Sequence, residues 1–314
     1  MTKTSLSSSR WGGARRVVPA VALSAALLMA ATGCSQAGTA SGAPSATTGQ
    51  STDVPTLAVV QAAADLLPAS IKSSKVLRVA IPTNEPPTQF YAEGTQNMTG
   101  INPGIARLIG EALGVTVDVK VATFDSIIPG IAAGRYDMTV SSMTPTTERM
   151  QVLDFVDYMQ VGTAIAVAKG NPLKIDQKSL CGHKVALLTG SYQLTVNVPD
   201  YNKACEAAGK PAIQTSEYAD TRQAISSLTS GRQEAVLADD PILNYAATQT
   251  PDITIAAKYD FTPVSVGTPK GDGLVQAVST ALDSIITSDA YHTVLSTYGV
   301  GSGAITDARV NFAQ

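Results

Sequence analysis

The chain has 314 residues, 44% of them apolar and 15% charged, a balance that suits two packed domains and excludes a disordered chain. Lys and Arg number 22 against 25 Asp and Glu, and four of the basic residues precede Cys34 with no acidic residue among them, so the remainder stands at 18 to 25, a net charge of −7. No basic patch or arginine-rich run remains, which argues against nucleic-acid binding; His183 and His292 lie far apart without clustered ligands, so neither a metal nor a cofactor is expected.

Residues 1–16 carry Lys3, Arg10, Arg15 and Arg16, and residues 17–32 form an apolar, small-residue run. That layout is a secretory signal, and the run is short for a membrane span, which needs about 20 residues. It ends in Ala31-Thr32-Gly33-Cys34, which resembles the bacterial lipobox, although Ala31 stands where leucine is commoner. The reading is a signal peptide over 1–33 with lipidation at Cys34; an ordinary signal with an incidental cysteine is the alternative. Residues 34–54 are dominated by Ser, Gly, Ala and Thr and read as a flexible tether. Beyond it, Leu57, Val60, Ala64 and Leu67 recur at helical spacing.

From residue 76 onward, strand and helix patterns alternate, the order of an α/β fold. Val76–Ile81 reads as a strand, 103–113 as a helix with Ile105, Leu108, Ile109 and Ala112 on one face, 115–121 as a strand, 125–133 as a helix stopping at Gly134, and 136–141 as a strand. Ile128-x-x-Ile131-x-x-Gly134-Arg135 is then echoed 97 positions later by Ile225-x-x-Leu228-x-x-Gly231-Arg232. Seven residues past each arginine stand Ser142 and Asp239. Two lobes of similar build, each ending a strand in a polar group, account for the echo. Val76–Ile81 running into Thr83-Asn84-Glu85, and 184–188 running into Thr189-Gly190-Ser191-Tyr192-Gln193, supply two more polar strand ends. Ligands of open α/β sheets sit at such ends; ordinary helix caps are the competing reading. Cys181 and Cys205 form a matched pair, which in an exported protein favours a disulfide over two buried thiols.

Phe124-Asp125-Ser126-Ile127-Ile128-Pro129, Gly134-x-Tyr136-Asp137, Ser141-Ser142-Met143-Thr144-x-Thr146-x-Glu148-Arg149, Leu153-Asp154-Phe155 with Tyr158, and Val236-Leu237-Ala238-Asp239-Asp240-Pro241 occur in that order. Together they resemble family 3 extracellular solute-binding proteins, which include the lysine/arginine/ornithine-, histidine- and glutamine-binding proteins of ABC importers. The likeness spans roughly residues 75–300, with Ala290-Tyr291 and Tyr298-Gly299 resembling the family's closing helix. It implies a two-lobed periplasmic-binding-protein-like (type II) fold with two hinge crossings, near 160–166 and 261–268. Lobe 1 would comprise 55–162 plus 266–314, and lobe 2 163–265.

The resemblance also implies roles. Arg149 matches the arginine that grips a ligand α-carboxylate, a task its planar fork suits. Ser142 and Thr144 match positions that hydrogen-bond the carboxylate and ammonium. Asp239 matches the receiver of the α-ammonium, and Ser191 and Gln193 a loop closing from lobe 2. Phe124 matches an aromatic against the ligand side chain, with core packing equally open. Glu85 departs from the family, which often has an aromatic there; it either faces a cationic or hydrogen-bonding side chain or is an exposed loop carboxylate. Tyr192 replaces a small hydroxyl residue. The implied protein is a monomeric, lipid-anchored receptor on the extracytoplasmic face of the cell membrane, passing a polar amino acid or related zwitterion to an ABC permease. A sensory module is the main alternative, and an exported dehydratase a weaker one, since no convincing general acid or base stands out.

Overall fold

The computed structural model describes residues 54–312. Cys34 and the signal-like run therefore lie outside the described residues. Val54–Val60 forms no helix or strand and joins lobe 1: Val60 N–H donates to Ala112 O at 2.8 Å and Leu57 N–H to Glu111 Oε2 at 2.9 Å. Two short helices follow, α1 (Gln61–Ala64) and α2 (Ala69–Ser74), which bury Ala63, Leu67 and Ile71. The helical spacing read through Leu57 and Val60 is thus overridden, because both residues pack as a non-helical strip against lobe 1.

The first lobe then builds β1 (Val76–Ile81), a small hairpin β2 (Phe90–Tyr91) and β3 (Met98–Thr99), α3 (Ile101–Leu113), β4 (Thr116–Val121), α4 (Ile127–Ala132) and β5 (Met138–Met143). Gly100 precedes α3 at φ +123°, and a Cβ there would sit 2.5 Å from Thr88 O, so the entry to α3 needs glycine. The helix buries the expected face, Ile105, Leu108, Ile109 and Ala112. The strand expected over 136–141 runs two residues further, to Met143, because β5 is buried along its whole length.

β6 (Leu153–Ala168) leaves lobe 1 and enters lobe 2, which adds β7 (Lys184–Leu188), α5 (Val198–Ala207), β8 (Gln214–Tyr218), α6 (Thr221–Thr229), β9 (Ala235–Asp239) and α7 (Asp240–Gln249). β10 (Ile253–Pro269) returns to lobe 1, where α8 (Leu274–Ile285) and α9 (Asp289–Thr297) complete the core. β6 and β10 pair antiparallel through both lobes, giving one sheet in the order β4-β1-β5-β10-β6-β9-β7-β8. Their register breaks between Tyr259 and Thr262, opposite Val161–Thr163, where Asp260 adopts φ +50°. A bulge at that point bends the two crossings and separates the lobes.

The sheet reads as one three-strand unit used twice. β4-β1-β5 and β8-β7-β9 are both parallel, and each meets one long crossing strand antiparallel. The echoed motif closes its helix identically in both lobes. Gly134 N–H donates to Ile131 O and Arg135 N–H to Gly130 O; Gly231 N–H donates to Leu228 O and Arg232 N–H to Ser227 O. A carboxylate then ties each unit to its central strand: Asp137 accepts from Arg78 N–H at 2.7 Å, and Glu234 from Lys184 N–H at 3.0 Å. His183 pairs with Glu234 at the start of β7, the end opposite the cleft.

Candidate functional site: a closed cleft between the lobes

The carboxyl ends of β1, β5, β7 and β9 converge on one small cavity. Glu85, Phe124, Ser142, Thr144, Arg149, Ser191, Gln193 and Asp239, all singled out from sequence, line it. Leu188, Thr221 and Ile242 also line it and were not foreseen.

Ser142 leaves β5 at φ +52°, a left-handed conformation uncommon outside glycine. A buried polar network holds it there. Its N–H donates to Tyr158 Oη at 2.9 Å, and its Oγ accepts from Asn102 Nδ2 at 3.1 Å. Tyr158 Oη donates to Asn102 Oδ1 at 2.6 Å, and Asn102 Nδ2 also reaches Gln89 Oε1. Burial pushes the Tyr158 hydroxyl well above its ordinary range, so it stays protonated.

Arg149 sits in a single 3₁₀ turn capped by Thr146, whose Oγ1 accepts the Arg149 N–H at 3.2 Å. Arg149 is 8% exposed. Nη1 donates to Thr144 O at 2.7 Å and Nη2 to Gly190 O of lobe 2 at 2.8 Å, while Cζ lies 5.5 Å from the Phe124 ring centroid. Two of its five N–H groups are thus spent on orientation, and three remain for an anion. Burial lowers its pKa to about 10, against the raising charges of Asp239 and Glu148, so it is cationic at neutral pH. Phe124 packs with Ile127, Leu153 and Phe155 and also lines the cavity.

Lobe 2 presents Ser191, whose Oγ accepts the Leu194 N–H, and Gln193, whose Nε2 donates to Asp239 Oδ1 at 2.9 Å and to Thr163 Oγ1 at 3.2 Å. Burial pushes Asp239 up to about 7, reinforced by the charges of Glu85 and Asp240 and opposed by Gln193 and Arg149.

Glu85 is 3% exposed, which removes the exposed-carboxylate reading. Its Oε1 accepts from Thr221 Oγ1 at 2.7 Å and from Thr221 N–H at 3.3 Å, and its Oε2 from Gln89 Nε2 at 2.6 Å. Thr221 opens α6 on lobe 2, directly after the helix cap Asp220, and Asn84 Nδ2 reaches Asp220 Oδ2 at 3.2 Å. Across the cleft the lobes meet through direct polar contacts that include Glu85 to Thr221, Asn84 to Asp220, and Arg149 to Gly190. Burial is the main force lifting Glu85 to about 7, with Thr221 opposing and Asp220 reinforcing.

Cys181 and Cys205 are joined in a disulfide that ties the segment before β7 to α5. Among the described residues, no helix is long and apolar enough to cross a membrane, and no cluster suited to a metal ion occurs.

The arginine-binding protein ArgT of Corynebacterium glutamicum is 26% identical over 253 residues, covering 78% of this chain and 81% of its own. An L-arginine-binding protein of Pseudomonas aeruginosa is 26% identical, with 72% and 88% covered. Among solved structures, an ancestral arginine-binding protein bound to arginine superposes with a TM-score of 0.65 at 28% identity, over 72% of this chain and 98% of that one. An ancestral amino acid-binding protein described as a precursor of cyclohexadienyl dehydratase gives 0.63 at 26% identity, over 73% and 97%. The profile of one family matches residues 77–301, which carry both lobes, the crossings and every residue of the cleft named above. The chain belongs to the bacterial extracellular solute-binding proteins, family 3.

Proposed function

We propose that this protein captures a polar amino acid or related zwitterion, with the α-carboxylate on Arg149 and the α-ammonium on Asp239, and presents it to an ABC permease. Capture of a solute by two closing lobes, without covalent change, is the work of the family. The observation that carries the finer assignment is the placement of a guanidinium from lobe 1 and a carboxylate from lobe 2 in one small cavity. Only a closed head lets one dipolar molecule touch both, so the ligand favours closure by its differential affinity for that state. Ser142 and Thr144 would share the carboxylate, Ser191 and Gln193 would close over it, and Phe124 would lie against the side chain. The relatives named for arginine support the amino-acid class.

In this reading lobe 1 spans 55–162 plus 266–314, and lobe 2 spans 163–265. Residues 1–33 are the signal, Cys34 carries lipid, and residues 34–54 tether a monomeric head to the outer face of the membrane. Lipidation near the permease raises the local concentration of the head. Two measurements test the assignment. A thermal-shift and calorimetry panel of the amino acids should yield at least one ligand whose binding Arg149→Ala abolishes. Metabolic labelling with palmitate should mark the wild type and not Cys34→Ser. A panel without any ligand, or an Arg149→Ala protein that binds as tightly as wild type, refutes the capture site.

One observation favours a second reading. A dehydratase on this fold needs an acid in the cleft, and the buried Glu85, held near neutrality, has that character. Absence of turnover of prephenate or arogenate by the purified protein removes that reading.

A further inference from the structure

The charges lining the cleft do not balance against a simple zwitterion. Among the described residues that line it, Arg149 is the one cation, and Asp239 and Glu85 are both acids. If an α-carboxylate answers Arg149 and an α-ammonium answers Asp239, Glu85 is left without an opposite charge. The elements packed around it supply none. α6 brings Thr221 and the acidic cap Asp220, β9 brings Asp239, and the loop carrying Glu85 brings the neutral Gln89. Tyr192, the phenol that also lines the cavity, is held neutral because burial raises it. Three donated hydrogen bonds stabilise the Glu85 carboxylate, two of them from the positive end of α6. A carboxylate has about four acceptor positions, so one is left for a ligand or a proton. A buried anion beside two acids with no cation is costly, and it draws in whichever positive charge is at hand.

We propose that Glu85 forms a second cationic subsite, filled by the ammonium or guanidinium of a basic ligand's side chain or, under a ligand with a neutral side chain, by a proton. The proposal rests on the amino-acid reading of the cleft. Both occupants add one positive charge at the same oxygens, which makes them alternatives. Thr221 comes from lobe 2, so the subsite is complete only when the lobes close, and the choice between occupants is made in the closed state.

The sign of the pH dependence follows. Burial raises both Glu85 and Asp239 to about 7, so near neutrality the closed cleft holds a proton that exposed carboxyls would have lost. A basic side chain takes the place of that proton, so its complex needs no proton uptake and its affinity is not weakened as pH rises through about 7. A neutral side chain needs the proton kept, so its affinity falls as pH rises beyond that point. The two complexes differ by one bound proton, which changes the ratio of their affinities about tenfold per pH unit.

Calorimetry on the full-length protein tests this with L-arginine and L-glutamine at pH 6, 7 and 8. Each titration is run in two buffers of different ionisation enthalpy. In wild type, arginine should release about one proton more than glutamine, and the arginine-to-glutamine affinity ratio should climb with pH at about the slope given above. Glu85→Gln should lose the extra proton, flatten the ratio and weaken arginine about ten- to hundredfold, the loss expected for an uncompensated buried charge contact. Thr221→Val should weaken both ligands, because it removes a closing contact, and arginine the more, because it also takes away a hydrogen bond that holds the Glu85 carboxylate ionised. The wild-type proton count stands as a test even if Glu85→Gln fails to fold. A wild type in which both ligands exchange the same number of protons, or a Glu85→Gln protein with the wild-type ratio and slope, overturns the subsite and leaves Glu85 as a closing contact alone. Wild type that binds neither ligand, nor any other amino acid, overturns the capture site together with it.

Discussion

The two lobes share one plan and differ in what holds it together. Lobe 1 packs α3, α8 and α9 against its strands in one large core of aliphatic side chains, joined by the 54–74 segment, and adds a smaller cluster around Phe124 and Phe155. Lobe 2 has two smaller cores, one on each face of its strands, and the first is rich in alanine. It compensates with the Cys181–Cys205 disulfide. The polar sides differ in the same sense. Lobe 1 fixes Ser142 through buried hydrogen bonds among its own residues and Arg149 through Thr144 O, with Gly190 O of lobe 2 adding a second hold on the guanidinium, whereas Gln193, Asp239 and Thr221 of lobe 2 sit at strand and helix ends. Lobe 1 is thus a preformed half-site, and lobe 2 is the half that arrives.

If lobe 1 is preformed, its anchor should dominate affinity. Arg149→Ala removes a buried guanidinium opposite a ligand carboxylate, and truncating one partner of such a pair costs about 2–5 kcal/mol. Affinity should fall by two to four orders of magnitude by calorimetry. Arg149→Lys should recover little of it, because one ammonium cannot serve Thr144 O, Gly190 O and a carboxylate together. A lysine variant within threefold of wild type would break the claim that orientation, and not charge alone, is what lobe 1 supplies.

The disulfide tests the other side of the comparison. Its partners are 24 residues apart, and opening a loop of that size should cost lobe 2 about 3 kcal/mol. Hydrogen exchange on Cys181→Ser/Cys205→Ser protein should therefore speed up in β7 and β8 while β1 and β5 keep their protection. Equal acceleration in both lobes would mean that they unfold as one unit and would erase the distinction.

Tyr158→Phe is expected to have a somewhat smaller effect. The hydroxyl both accepts from Ser142 N–H and donates to Asn102, so its loss strands a buried donor at about 1–3 kcal/mol. Melting temperature should drop and ligand affinity should weaken, since Ser142 loses the contact that holds its left-handed backbone.

Tyr158 also marks the limit of what the sequence discloses. It was visible as part of a family pattern, yet the network through Asn102 and Gln89 was not, because it joins residues from four separate stretches whose local patterns read as plain loop, helix and strands. Arg149 and Ser142 were legible from one contiguous motif, and Asp239 from the echo of lobe 1 in lobe 2. Thr221 was not, since a threonine after an aspartate reads as an ordinary helix start, and its partner Glu85 is 136 residues away. The ambiguity at Glu85 had the same origin: whether a loop carboxylate is buried depended on the opposite lobe. The N-terminal strip misled for a different reason, since backbone pairing with Ala112 outweighed the helical spacing of Leu57 and Val60.

The smallest effect separates a helix cap that only caps from one that also closes the cleft. Ser288 caps α9 in lobe 1 by accepting the Tyr291 N–H, and Asp220 caps α6 in lobe 2 by accepting the Gln223 N–H at 2.8 Å. Replacing either by alanine should cost about 1 kcal/mol of stability in denaturant titrations. Asp220 also receives Asn84 across the cleft, so Asp220→Ala should weaken ligand binding about two- to tenfold, the worth of one hydrogen bond, while Ser288→Ala should leave affinity unchanged. Asp220→Ala also takes away a negative charge that reinforces the raised pKa of Glu85, so the pH at which neutral ligands lose affinity should move down. If the two variants match in both stability and affinity, the start of α6 acts only as a cap, and closure depends on the ligand and Arg149 without help from the lobe 2 rim.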